Sequence, residues 1–213
     1  MKNEIKLGII LMILATLCFG IMDGVSRYLA EEYNVFIINM YRSWVLVLFV
    51  LIYSIKKGGI KHVSSTKKPL IQIIRGILLI SCVCIGVHSF TVLGLVAAHT
   101  IIAIYPLLVL PLSYYFSNEK IGWRRWSAVF IGFLGIMIIL NPISMSFDFN
   151  MLWPLLLACL LAIYSILTRN ISAYDNSETS FFWVAIVGGV VMTIIGPFFF
   201  ELLFLKDIPW FLL

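Results

Sequence analysis

The sequence predicts an all-α integral membrane protein of about seven transmembrane helices, and three observations carry that prediction. Of its 213 residues, 62% are hydrophobic and only 12% are charged, against about a quarter charged in an ordinary soluble domain. The apolar residues come in runs of about 20, the length that crosses a hydrocarbon core roughly 30 Å thick. Short clusters of Lys and Arg stand between the runs, as in the loops of a multi-pass membrane protein. The formal charge of +5 therefore reads as orientation in a lipid bilayer, not as a surface for nucleic acid.

The first span covers residues 7–28. The charged start, Met1-Lys2-Asn3-Glu4-Ile5-Lys6, resembles a signal peptide, but no small-x-small cleavage site follows and further spans do. The second span covers 35–55 and leads into a basic, polar connection, Lys56–Lys68. The stretch Gly76–Asn118 contains no Asp, Glu, Lys or Arg. As one helix it would be roughly 65 Å long, so it must fold back, near Leu93-Gly94-Leu95, into spans 70–92 and 95–117. Spans 124–142, 150–169 and 180–202 complete the set. Phe181, Phe182 and Trp183 at the start of the last span read as an interfacial aromatic belt.

Orientation follows from the basic residues. Lys2, Lys6, Lys56, Lys57, Lys61, Lys67, Lys68, Arg75, Lys120, Arg124, Arg125 and Arg169 fall on one side; Arg27 and Lys206 fall on the other. This bias puts the N-terminus in the cytoplasm and, with seven spans, the C-terminus outside. The four cysteines lie within apolar runs and pack as small hydrophobes. No metal-ligand cluster and no cofactor motif is present in the sequence. Neither paired catalytic carboxylates, H-E-x-x-H nor G-x-S-x-G occurs, which argues against an enzyme. The absence of G-x-x-x-x-G-K-[ST] argues against ATP-driven work.

The end of the first span, Met22–Arg27, aligns with the end of the sixth, Tyr164–Arg169, at an offset of 142 residues. A five-helix unit repeated once is inverted, because five is odd. The expected division is a first unit at 1–142 and the first two helices of a second at 143–213. Two whole units would need about 284 residues, so three helices of ten are expected to be missing.

The segment Ala97–Leu140, AAHTIIAIYPLLVLPLSYYFSNEKIGWRRWSAVFIGFLGIMIIL, carries a mid-helix Pro106, an Asn118-Glu119-Lys120 turn, Trp126, and Gly132 and Gly135. It resembles the fourth and fifth helices of the EamA-type drug/metabolite transporter family. Gln72-Ile73-Ile74-Arg75-Gly76 resembles the start of that family's third helix, and Leu155–Arg169 the opening of its second repeat. The order of motifs is similar to that of the family's S-adenosylmethionine uptake carriers. The resemblance implies a bacterial inner-membrane secondary transporter of small metabolites, amino-acid-like or nucleotide-like. The alternative is a truncated or split carrier without transport activity of its own. A coupling ion, a second copy and a complementary chain are the partners left open.

An ionisable side chain within a span is costly and is a functional candidate by default. Arg42 lies about seven residues into the second span, a depth of roughly 10 Å, and suits a carboxylate or phosphate. Asp23 lies at a comparable depth, and the two could also form a structural ion pair. Asn39 shares the face of Arg42. Ser81, Cys84, His88 and Thr91 make a polar stripe on the third span, expected to face a cavity or a neighbouring helix. His88 is a candidate for solute or proton contact; His99 reads as a headgroup-level histidine. Tyr105 stands beside Pro106, where a kink would shape a pocket. Pro106, Glu119 as a cap near Arg124 and Arg125, Gly132 and Gly135 are read as structural. The expected cavity is lined by spans one, two, three, four and six.

Overall fold

The computed structural model describes residues 2–117, 122–140, 148–200 and 207–211. These form α1 (Lys2–Leu29), α2 (Val35–Lys56), α3 (Ile60–Ser64), α4 (Pro69–Leu93), α5 (Leu95–Ile102), α6 (Tyr105–Ser117), α7 (Trp123–Leu140), α8 (Leu152–Ile171), α9 (Ser177–Ile195) and α10 (Ile208–Phe211). Among the described residues, six segments are long and apolar enough to cross a bilayer: Lys6–Leu29, Val35–Lys56, Pro69–Leu93, Leu95–Tyr114, Phe149–Ile171 and Ser177–Phe199. The span expected at 124–142 falls on α7, an 18-residue helix that is not one of the six. Asn118, Glu119 and Lys120 lie outside the described residues.

The boundaries have local causes. Asn34 caps α2 by accepting the Phe36 N–H at 3.0 Å, and Pro69 opens α4 where its missing N–H needs no partner. Gly94 makes the expected reversal between α4 and α5 at φ +81°, ψ 161°, a region essentially reserved for glycine. The fourth span does not kink at Pro106. It breaks at Ala103–Ile104, and Pro106 takes a place in the first turn of α6, where it costs no helical hydrogen bond.

The central element is α4, packed against α8 and α9; α2 packs on α9 and α6 on α8. Lipid tails are as apolar as leucine, so helices associate through close contact and hydrogen bonds. Glycines supply the contact. A Cβ on Gly76 would sit 2.5 Å from Val187 Cβ, and Gly189 and Gly196 lie equally hard against Val47 and Met40. Gly132 packs within the chain against Leu107, 2.9 Å from its added Cβ, while Gly135, Gly20 and Gly24 have open space around them.

The α1–α2 turn marks one end of the bundle, here the near end. There, buried Asp207 accepts from the Tyr33 hydroxyl at 2.7 Å, and Phe211 packs edge-on against Tyr33 and Tyr41. The far end carries residues 57–68 and the α8–α9 turn. Val63 of α3 packs in a cluster with Val50, Phe182 and Ala185, and Trp183 Nε1 donates to the Ser64 carbonyl at 3.0 Å. Phe182 and Trp183 thus pin the connecting loop to the bundle. Of the expected belt, Phe181 alone is exposed.

Sequence alone groups Arg75 with the loop lysines, but it is 2% exposed. It donates to Thr168 Oγ1 at 3.1 Å, to Gln72 Oε1, and to the Tyr164 hydroxyl at 3.4 Å. Gln72 in turn donates to Asp175 Oδ2 at 2.8 Å. Asp175 also accepts from the Thr66 hydroxyl and the Lys67 N–H. Partial burial works against the Asp175 charge. The hydrogen bonds from Thr66, Gln72 and Lys67 outweigh it and hold the carboxyl below the usual aspartate value of 3.8.

Two predictions follow from this packing. Gly94→Ala will destabilise the chain by about 1–3 kcal/mol and Gly76→Val by about 1–3 kcal/mol, read as lower unfolding temperatures in detergent. The Asp175 contribution is complete above the usual aspartate value and disappears as pH falls through the depressed native one. Hydrogen exchange at the Lys67 amide should be slower in the parent than in Asp175→Asn at neutral pH. That difference should close as pH drops below 3.8.

Candidate functional site

A cavity of about 440 Å³ lies between α1, α2, α4, α5 and α8, the five elements that the sequence expectation names as spans one, two, three, four and six. Its size falls within the range of small-molecule sites. Apolar side chains make most of the wall, including Phe19, Leu46, Phe90 and Leu157, and the polar ones converge from three helices.

From α2 come Asn39 and Arg42, three residues apart and so on one face. Asn39 is 2% exposed; its amide donates to the Val35 carbonyl at 3.0 Å and to Cys84 Sγ at 3.6 Å. Arg42 donates through Nη1 to Ser26 Oγ of α1. Its Nε and Nη2 are buried and have no hydrogen-bond partner among the described residues. An orphaned buried donor costs about 1–3 kcal/mol, more when charged. The arrangement is a guanidinium held at Nη1, with the hydrogens of Nε and Nη2 unpaired among the described residues.

Asp23 lines the same cavity, one turn before Ser26 on α1, but it does not form the expected pair with Arg42. Its Oδ2 lies 3.3 Å from His99 Nε2. The cause is the sharp turn at Gly94, which folds α5 back so that His99 meets the end of α1. Phe90 then stacks on the imidazole at 4.9 Å and 29°. His99 therefore lines the cavity, which its reading as a headgroup-level histidine did not include. Only the fold-back brings it to Asp23; the unusually tight loop was the available signal.

The polar stripe of α4 faces elsewhere. Cys84, His88 and Thr91 line a second cavity, about 460 Å³, with Tyr33, Asn34, Phe36 and Trp153. The His88 ring sits edge-on to Trp153 at 4.9 Å. The first cavity is instead lined by Cys82, Val83, Gly86, Val87 and Phe90. Gly86 and His88, two residues apart, point roughly 200° away from one another, and so the two faces of α4 serve different cavities. Ser81 lines neither and donates to the Ile77 carbonyl at 2.8 Å. Tyr105 also lines neither. The helix break ends α5 just after Ile102, the last residue of that span to reach the cavity.

Comparison with known proteins agrees with this architecture. The chain is 29% identical over 190 residues to an S-adenosylmethionine uptake transporter of Rickettsia bellii, covering 87% of this chain and 63% of the relative. It is 27% identical over 188 residues to one of Rickettsia prowazekii, covering 86% and 62%. A riboflavin transporter of Vibrio cholerae is 24% identical over 181 residues, covering 84% and 60%. The chain thus spans less than two thirds of the length of these relatives. Residues 6–141, more than half of the chain, match the model of the EamA-like transporter family. On that match, and with its apolar helices arranged around a cavity, the chain belongs to the EamA-like transporter family.

Proposed function

We propose that this chain forms the solute-binding part of a secondary carrier in a bacterial inner membrane. Its N-terminus is cytoplasmic, and its cargo is a small metabolite bearing a carboxylate or phosphate. S-Adenosylmethionine and amino-acid-like or nucleotide-like solutes are the candidate classes. The observation that carries this reading is Arg42, whose Nε and Nη2 are buried without partners beside an open volume of about 440 Å³. A guanidinium offers a planar fork that matches a carboxylate or phosphate. Arg42 lines that cavity, with Ser26 Oγ on its Nη1 and the Nε–Nη2 edge unpaired. Asn39 supplies a neighbouring polar contact, and Asp23 the balancing charge.

Support comes from the printed functions of the relatives, uptake of S-adenosylmethionine among them. S-Adenosylmethionine carries an amino-acid carboxylate of the kind that Arg42 would hold. On this reading residues 1–142 are the first five-helix unit and 143–213 the opening of an inverted second one. The carrier would work by rocking one set of helices against the other. The near end then faces outward, and the Arg75 network closes the cytoplasmic end.

A second reading, favoured by α1, is a carrier completed by a second copy or a complementary chain. None of the hydrophobic window of α1 is buried. Native mass spectrometry from nanodiscs distinguishes the two: a monomer that binds solute excludes the need for a partner.

Arg42→Ala should weaken S-adenosylmethionine binding about 10- to 100-fold, the worth of a hydrogen bond to a charged group. Arg42→Lys should recover part of it. Calorimetry on the purified protein reads the affinity, and thermal unfolding checks that the variants fold. Equal affinity in a folded Arg42→Ala protein would sink the assignment.

A further inference from the structure

The first cavity holds more charge than solute recognition requires. Asp23 reaches it from α1, Arg42 from α2 and His99 from α5; α4 adds the Cys82 thiol, and the α8 lining residues, Leu157 and Leu161, are apolar. Arg27, one turn beyond Asp23, lies toward the Gly94 turn, its guanidinium 3.8 Å from where a Cβ on Gly94 would sit. His99 is 49% exposed and Asp23 22%. The imidazole is thus the accessible member of the pair, and the Asp23 carboxylate interacts electrostatically with both His99 and Arg42.

The geometry points to a proton-binding site formed by His99 and Asp23, which couples proton uptake to the binding of an anionic solute group at Arg42. The inference rests on the reading of Arg42 as the anion receptor. Imidazole takes up and releases a proton near neutrality, and a water on its exposed side supplies or accepts that proton. No other bond is made or broken.

Two local arrangements balance their charges. In one, His99 is neutral, and the Asp23 carboxylate compensates the Arg42 guanidinium across the cavity. In the other, the His99 imidazolium donates to Asp23, and Arg42 is compensated by the carboxylate or phosphate of the solute. The mixed states leave an unbalanced charge at membrane depth, which is costly. A proton without the anion leaves Arg42 bare. The anion without the proton sets two carboxylates around one guanidinium. Proton and solute therefore favour each other's binding, and by linkage the effect is reciprocal.

The test uses the purified chain in nanodiscs with an N-acetylated amino acid as probe, which carries a carboxylate and no cationic group. Calorimetry in two buffers of different ionisation enthalpy counts the protons taken up on binding. The parent should take up more than His99→Gln under the same conditions; comparing the two removes protons that belong to the solute. Parent affinity should rise as pH falls from about 8 to about 6, the range in which an imidazole changes charge. In His99→Gln that dependence should flatten. Asp23→Asn should bind more tightly than the parent at the alkaline end, where the competing carboxylate is gone.

A second measurement needs no solute. The three histidines, His62, His88 and His99, are labelled with ¹³C, and the His99 signal is assigned as the one lost in His99→Gln. Its chemical shift should move in Asp23→Asn, as the 3.3 Å contact requires. Equal proton uptake in parent and His99→Gln, or a His99 signal indifferent to Asp23→Asn, overturns the proposal. If no Arg42-dependent binding occurs while the His99 signal still responds to Asp23→Asn, the reading of Arg42 fails and the coupling fails with it, leaving the His99–Asp23 pair alone.

Discussion

A guanidinium withdrawn from water has to be surrounded by acceptors, and the way Arg75 meets that demand organises the bundle. Each of its three nitrogens has a partner, on α4 itself and on α8. Gln72 extends the network to Asp175 in the α8–α9 turn and to Ser180 on α9. The Tyr164 ring lies 5.3 Å from the guanidinium carbon. Leaving one of these donors unpaired away from water would cost more than an ordinary hydrogen bond contributes. The network therefore sets the approach of α4 to α8 and α9, and Gly76, which meets Val187 of α9, is the residue next to Arg75.

Arg42 makes the opposite arrangement. It also lies on a helix long and apolar enough to cross a bilayer, but one nitrogen is satisfied and two are not. A structural arginine with this much unmet demand would be a liability. Beside an open volume lined by five helical elements, that unmet demand is what the proposal of an anion at Arg42 rests on. The two arginines thus differ in one respect: Arg75 is fully paired and Arg42 is not.

The cavity itself depends on how α4 and the fourth span are shaped. Because α4 is contacted from several sides, its two faces open onto different spaces: Gly86 and Val87 line one cavity, and Cys84, Ile85 and His88 the other. The break at Ala103–Ile104 and the turn at Gly94 limit α5 to eight residues. Those eight bring His99 over the end of α1. Electrostatics at the site thus follows from two backbone features that carry no charge.

Sequence by itself determined the membrane character, the helical class and the reversal at Gly94. These depend on local composition and length, since a backbone in hydrocarbon must satisfy its own hydrogen bonds and needs about 20 residues to cross. The Asn39–Arg42 face was legible because helical periodicity is local. Only the tertiary structure decided that Asp23 meets His99 and not Arg42, that His88 belongs to a second cavity, and that Tyr105 reaches neither. Only it moved Arg75 from the loop charges into a buried network. Those outcomes depend on helix rotation and on which distant segment supplies the nearest acceptor. Periodicity shows that residues share a face; it does not show what that face meets.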